Sequence, residues 1–153
     1  MKTSGEQSET MLIRGYRPEI DRAQEHILGI LERFGYPEAA RFAVRLALEE
    51  ALTNAFHHGH RGLPPDETVR LDFRATAEEI EIIIEDKGPG FDPSSVPDPT
   101  LDENLEVPTG RGLLLMRAYM AEVEYNDRGN RVRMLYRAPS AVNGPAGAPQ
   151  RVG

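Results

Sequence analysis

The stretch Ile80-Glu81-Ile82-Ile83-Ile84-Glu85-Asp86-Lys87-Gly88-Pro89-Gly90 decides the fold. Ile80, Ile82 and Ile84 recur at a spacing of two against Glu81, Ile83 and Glu85, which is the period of a β-strand. The strand runs out at Asp86, where the glycines and proline turn the chain tightly. A carboxylate at the end of so apolar a strand can project into a pocket and accept a hydrogen bond from an exocyclic amine. Matched to the amino group of adenine, it would discriminate against guanine, whose carbonyl at that position leaves both acceptors unpaired. Read alone, the same residues also suit a plain loop turn.

Working outward, Val69, Leu71 and Phe73 alternate with Arg70, Asp72 and Arg74, so residues 68–75 form the hairpin partner of that strand. Upstream, Pro18 suits a first helical turn, and Ile20, Ala23, Ile27, Ile30, Leu31 and Phe34 form an apolar stripe until Gly35 stops the helix. Pro37 opens a second helix, whose buried side is read as Phe42, Leu46, Leu48, Leu52, Ala55 and Phe56, with Gly59 as its stop. A short apolar strand over residues 11–16 precedes both helices. Downstream, residues 91–108 are rich in proline, Asp, Glu and Ser without helical or strand period, which reads as a long loop. A short helix over 113–118 and a final hairpin, 121–126 with 131–137 around Asp127-Arg128-Gly129-Asn130, complete an α+β pattern. Residues 1–10 are expected to be flexible, and the tail 138–153 is too poor in large apolar groups to fold.

The 153 residues suit one domain with one core. No apolar run approaches the roughly 20 residues of a membrane span, and the polar first ten residues lack a secretory core, so a cytoplasmic protein is expected. A net charge of −7 gives no broad basic surface, which disfavours direct nucleic-acid binding, although helix N-termini and backbone amides can still hold phosphates locally. The chain has no cysteine, so thiolate metal sites and cysteine nucleophiles are excluded.

Two further motifs carry candidate chemistry. Glu50 and Asn54 lie four apart in Glu49-Glu50-Ala51-Leu52-Thr53-Asn54, one turn apart on one helix face. A carboxylate beside an amide oxygen can place a hydrated magnesium ion and orient an attacking hydroxyl, although a solvated helix face shows the same pattern. Gly110-Arg111-Gly112-Leu113 opens a helix, where free amides and the dipole make a phosphate site and Arg111 can add a charge. The long loop before it reads as a lid over about 91–109. The pattern lacks the Walker lysine, and it lacks the third glycine and βαβ context of a dinucleotide fold. His57, His58 and His60 form a weaker zinc candidate, since adjacent histidines diverge on a helix and His26 is distant.

The order of the three motifs resembles the GHKL superfamily of ATPases, and within it the RsbW-type serine kinases that act as anti-sigma factors. The resemblance covers residues 11–137 and is carried by Glu50-Ala51-Leu52-Thr53-Asn54-Ala55 with His58-Gly59, by Asp86-Lys87-Gly88-Pro89-Gly90-Phe91-Asp92-Pro93, and by Thr109-Gly110-Arg111-Gly112-Leu113. It implies a Bergerat ATP-binding fold: a two-layer α/β sandwich with a mixed, mainly antiparallel sheet covered on one face by helices. It further implies Mg-ATP as cofactor, with Asn54 on magnesium, Asp86 on the adenine amine and Gly110 to Leu113 around the phosphates. His58, Gly88, Gly90, Thr109 and Asn130 are expected as further nucleotide contacts. Asn130 follows Gly129 where the family often has threonine, and it retains hydrogen-bonding capacity. Glu50 would be the general base for transfer to a serine or threonine of a STAS-domain anti-anti-sigma factor, with a sigma factor as the competing partner and a homodimer as the assembly. The alternative is an ATP-binding module that sequesters a partner without phosphorylating it. A histidine kinase is not expected, because no dimerisation helix with a phospho-accepting histidine is visible in the sequence.

Overall fold

Alternation of side chains fixes the two faces of the sheet. The computed structural model describes residues 5–59, 63–64, 66–88, 117–127 and 129–138, with backbone alone at 58 and 59. Along the chain come β1 (Glu6–Ile13), α1 (Arg17–Arg33), α2 (Glu38–Asn54) with a π-helical turn (Ala55–Gly59), β2 (Val69–Thr76), β3 (Glu79–Glu85), β4 (Glu122–Tyr125) and β5 (Arg131–Arg137). The strand order is β1-β2-β3-β5-β4. Every pairing among the described residues is antiparallel, so the parallel part of the expected mixed sheet is not found there. The expected lid over 91–109, the tail beyond residue 138, the first four residues and the helix expected over 113–118, except its end at 117–118, lie outside the described residues.

The register sets Phe73 beside Ile82 and Ile82 beside Met134, with Leu71, Ile84 and Val132 forming the next row. These side chains are buried on one face, against Ile20, Ile27, Ile30 and Leu31 of α1 and Val44, Leu48 and Leu52 of α2. On the other face, arginines and acids alternate: Arg133 pairs with Glu81 and Glu122, and Arg74 with Glu79. An antiparallel sheet tolerates such a polar face because helices need cover only one side. Each of these half-buried surface pairs contributes little by itself.

The first helix follows its sequence signals. Pro18 lies in the first turn, and the carbonyl of Tyr16 accepts from the N–H groups of Glu19 and Ile20. At the far end Gly35 adopts φ 94°, while Tyr36 N–H donates to Leu31 O and Gly35 N–H to Glu32 O, both at 3.0 Å. That is the Schellman closure, and it turns the chain into α2 within two residues.

Two readings need correction. The first strand begins at Glu6, inside the stretch read as flexible, and ends at Ile13 rather than residue 16. Its polar alternation hid it, because an edge strand is held largely by its backbone ladder, here eight registered pairs with β2. On α2, Phe42 is 60% exposed and Leu46 only half-buried, whereas Ala40, Ala43, Ala47, Ala51 and Ala55 join Val44, Leu48 and Leu52 in the core. Small residues let α2 lie close to the sheet, and a reading that weighted bulky side chains chose the wrong edge of the stripe.

Two substitutions test these assignments. Gly35→Ala should destabilise the fold by about 1 kcal/mol through its left-handed backbone, and Leu48→Ala by about 3 kcal/mol through the cavity left in the core. Phe42→Ala should leave stability within about 0.5 kcal/mol. Urea unfolding at constant slope measures all three.

Candidate active site

The apolar rows of β3 and β5 continue one residue past β3, and there the chemistry begins. Asp86, 5% exposed, donates its N–H to Asn130 O at 2.9 Å and accepts Asn130 Nδ2 on its own carbonyl at 3.2 Å. Its Oδ1 accepts from Gly88 N–H at 2.9 Å, an Asx turn that sets the direction of the carboxylate. Asn130 is held in turn by Asn126, whose Nδ2 donates to Asn130 Oδ1 at 2.8 Å and whose Oδ1 accepts from the N–H of Asn130 and Arg131. Gly129, at φ 75°, makes that turn possible. Asn126 was not singled out from the sequence; an Asn at the start of Asp-Arg-Gly-Asn is the signal, since its amide satisfies the turn it opens.

Facing this seam is the C-terminal end of α2. Asn54 is 5% exposed, and its Oδ1 is buried without a hydrogen-bond partner among the described residues. Asn54, Asp86 and Asn130 line one cavity, together with Ala51, Ala55 and Tyr125. Tyr125, also missed from the sequence, is half-buried; burial pushes its hydroxyl above the usual tyrosine range, and the Asn54 side chain, beside it in the cavity, draws it partly back. After Asn54 the helix widens into its π turn, a departure that recurs at functional sites.

Glu50 stands one turn before Asn54 but does not line that cavity. It is half-buried, with no ion pair or side-chain hydrogen bond among the described residues. Burial first, and then the charge of Glu49, hold its carboxyl above the ordinary glutamate range. Glu49 behaves oppositely. Arg17 grips both of its oxygens, at 2.7 and 2.9 Å, and Gln24 donates at 2.9 Å, which brings its carboxyl down to about 2. The sequence shows two adjacent acids; the fold clamps one and gives the other no partner among the described residues.

Of the remaining candidates, Gly88 is in place through its N–H. His57 is exposed and His26 is bonded to Glu9 of β1 at 2.9 Å. Gly90, Thr109, Gly110, Arg111, Gly112 and Leu113 lie outside the described residues, as do His60 and the side chain of His58.

Comparison with known proteins shows the family. The model of the histidine kinase-like ATPase domain matches residues 18–136, and the chain belongs to that family. Within it the chain is RsbW-like. A serine-protein kinase RsbW of Bacillus licheniformis is 34% identical over 116 residues, 69% of this chain and 70% of the relative. A second RsbW, from Oceanobacillus iheyensis, is 29% identical over 119 residues, 73% and 75% of the two chains. The serine/threonine-protein kinase BtrW of Bordetella bronchiseptica is 34% identical over 90 residues, and the match spans 58% of this chain and 63% of the relative's length. The crystal structure of the RsbU and RsbW domains of a Mycobacterium tuberculosis protein shares the fold, with a TM-score of 0.57 at 11% identity, covering 86% of this chain and 32% of that one.

Because the Glu49 carboxyl titrates lower in the folded chain than in the unfolded one, its clamp contributes stability above the usual glutamate range and loses it as pH falls through about 2. Solvent screening of these half-exposed partners keeps the contribution near about 1 kcal/mol at most. Arg17→Ala should therefore lower stability at pH 7 by that amount, and the gap from wild type should narrow steadily in acid. Urea unfolding from neutral to acid pH checks the trend.

Proposed function

We propose that this protein transfers the γ-phosphoryl group of ATP to a serine or threonine hydroxyl of a partner protein. The observation that carries the reading is the buried Oδ1 of Asn54, without a partner among the described residues and in one cavity with the buried acid Asp86. An orphaned amide oxygen is a hard acceptor of the kind magnesium takes while keeping several of its waters. Asn54 would hold the ion, which when bound neutralises charge on the β- and γ-phosphates. The cavity itself is small, about 10 Å³, so seating a purine requires its walls to part.

Each residue then has a task. Asp86 accepts the adenine amine, and its fixed carboxylate discriminates against guanine. Asn130 has both ends of its amide engaged and serves by holding Asp86 in register. Glu50 takes the proton of the attacking hydroxyl; a carboxyl raised by burial is a stronger base than an exposed one. From the family resemblance, Gly110, Arg111, Gly112 and Leu113 enclose the phosphates, and His58, Gly88, Gly90 and Thr109 complete the nucleotide contacts. Most of the acceleration comes from positioning and charge.

The names of the relatives support a partner-switching kinase. We assign the acceptor as a STAS-domain anti-anti-sigma factor and the sequestered partner as a sigma factor, with the kinase acting in the cytoplasm as a homodimer. Among the described residues no helix is long and apolar enough to cross a membrane.

Incubation with γ-labelled ATP and a STAS-domain acceptor tests the reading. Label should pass to the acceptor, and Glu50→Gln should lower transfer at least about 100-fold while ATP affinity holds within about threefold. Binding without transfer in the wild type would refute it. Calorimetry should show ATP bound at least about tenfold more tightly than GTP, with Asp86→Asn erasing the difference. Asn54→Ala should remove the gain in affinity that magnesium gives.

A further inference from the structure

Glu49 and Glu50 are neighbours on α2 but leave the helix about 100° apart. Glu49 points to α1, and Glu50 lies on the flank it shares with Asn54. The Glu49 carboxylate is fixed from three directions: Arg17 Nη1 at 2.9 Å, Arg17 Nη2 at 2.7 Å and the buried Gln24 amide at 2.9 Å. Arg17 is itself steadied by Asp21, 2.8 Å away on α1. An anion is thus locked beside a carboxyl that has no partner of its own among the described residues.

We propose that Glu49 and Arg17 are positioning residues for phosphoryl transfer: the clamp fixes a negative charge beside Glu50 and so sets the strength of the base, while Arg17 moderates that charge. The inference rests on the reading of Glu50 as the base. A bare structural tie between α1 and α2 could be built with Arg17 and an acid anywhere along the contact. Placing that acid in the peptide position next to Glu50 couples the tie to the chemistry.

The charged and titratable groups around the pair are few among the described residues. They are Arg17 and Asp21 on α1 and Arg45 on α2 itself. Arg17 and Arg45 act on Glu49. Among the described residues it is the charge of Glu49 that acts on Glu50 and disfavours its ionised form. Removing the Glu49 charge therefore makes the Glu50 carboxylate easier to form and a weaker base. Removing Arg17 exposes that charge and moves Glu50 the other way.

The two variants thus give opposite signs, which a merely structural tie would not. Glutamate carboxyl carbons are followed by NMR through a pH titration of the full chain, with the Glu50 signal assigned from Glu50→Gln. Glu49→Gln should lower the Glu50 midpoint by about half to one unit, and Arg17→Met should raise it. The double variant should resemble Glu49→Gln. The acid limb of labelled transfer, where Glu50 takes up its proton and the rate falls, should move with the midpoint. Equal midpoints in folded wild type and Glu49→Gln, or shifts of one sign in both variants, overturn the proposal. Should Arg17→Met not fold, Glu49→Gln alone decides, since it keeps the shape and an oxygen for Arg17. Full transfer by Glu50→Gln would instead sink the reading of the base, and the proposal with it, whatever the midpoints do.

Discussion

Everything at the site depends on the seam where β3 hands over to β5. Asp86 and Asn130 are joined twice there, by a main-chain hydrogen bond and by the Asn130 side chain returning to the Asp86 carbonyl. A buried carboxylate is costly unless its surroundings are fixed and polar. The seam supplies that rigidity, with Gly88 N–H bonded to the acid and Asn126 bracing Asn130 from the turn. Slipping β5 by one residue would carry Asn130 away and turn the apolar row of Val132 and Met134 to solvent, so the core that fixes the register also fixes the acid.

The second helix works against this seam as a divider. Its alanine-rich stripe lies on the sheet, one flank carries Glu49 to α1, and another carries Asn54 to the cavity with Glu50 one turn before it. A helix that presents three faces to three tasks has little freedom to rotate. Its coupling to α1 through Arg17, Gln24 and Glu49 makes the orientation of the flank with Glu50 and Asn54 a property of helix packing as well as of local sequence.

How far the sequence showed this differs from residue to residue. The strands β2, β3 and β5 were legible because period-two alternation with large apolar groups has no helical counterpart. Strand β1 was only partly legible, since Glu6, Ser8 and Thr10 are polar and the backbone ladder that holds them leaves no mark on composition. Phe42 misled because hydrophobicity was taken for burial; the alanines that are buried carry a weaker apolar signal than the ring that is not. Asn126 escaped because an Asn beside a turn is ordinary until the group it satisfies is known.

Periodicity, glycine placement and i,i+4 spacing are properties of local chain geometry, so the α+β class, the hairpins, the closing turn at Gly35 and the order of the three motifs are written in the chain before it folds. That Asp86 and Asn54 share a cavity, that Asn54 Oδ1 has no partner among the described residues, and that Glu49 is clamped while Glu50 has no partner there, emerges only in the folded chain. Those are statements about burial and about groups brought together from distant parts of the chain, and neither exists until the helices have docked on the sheet.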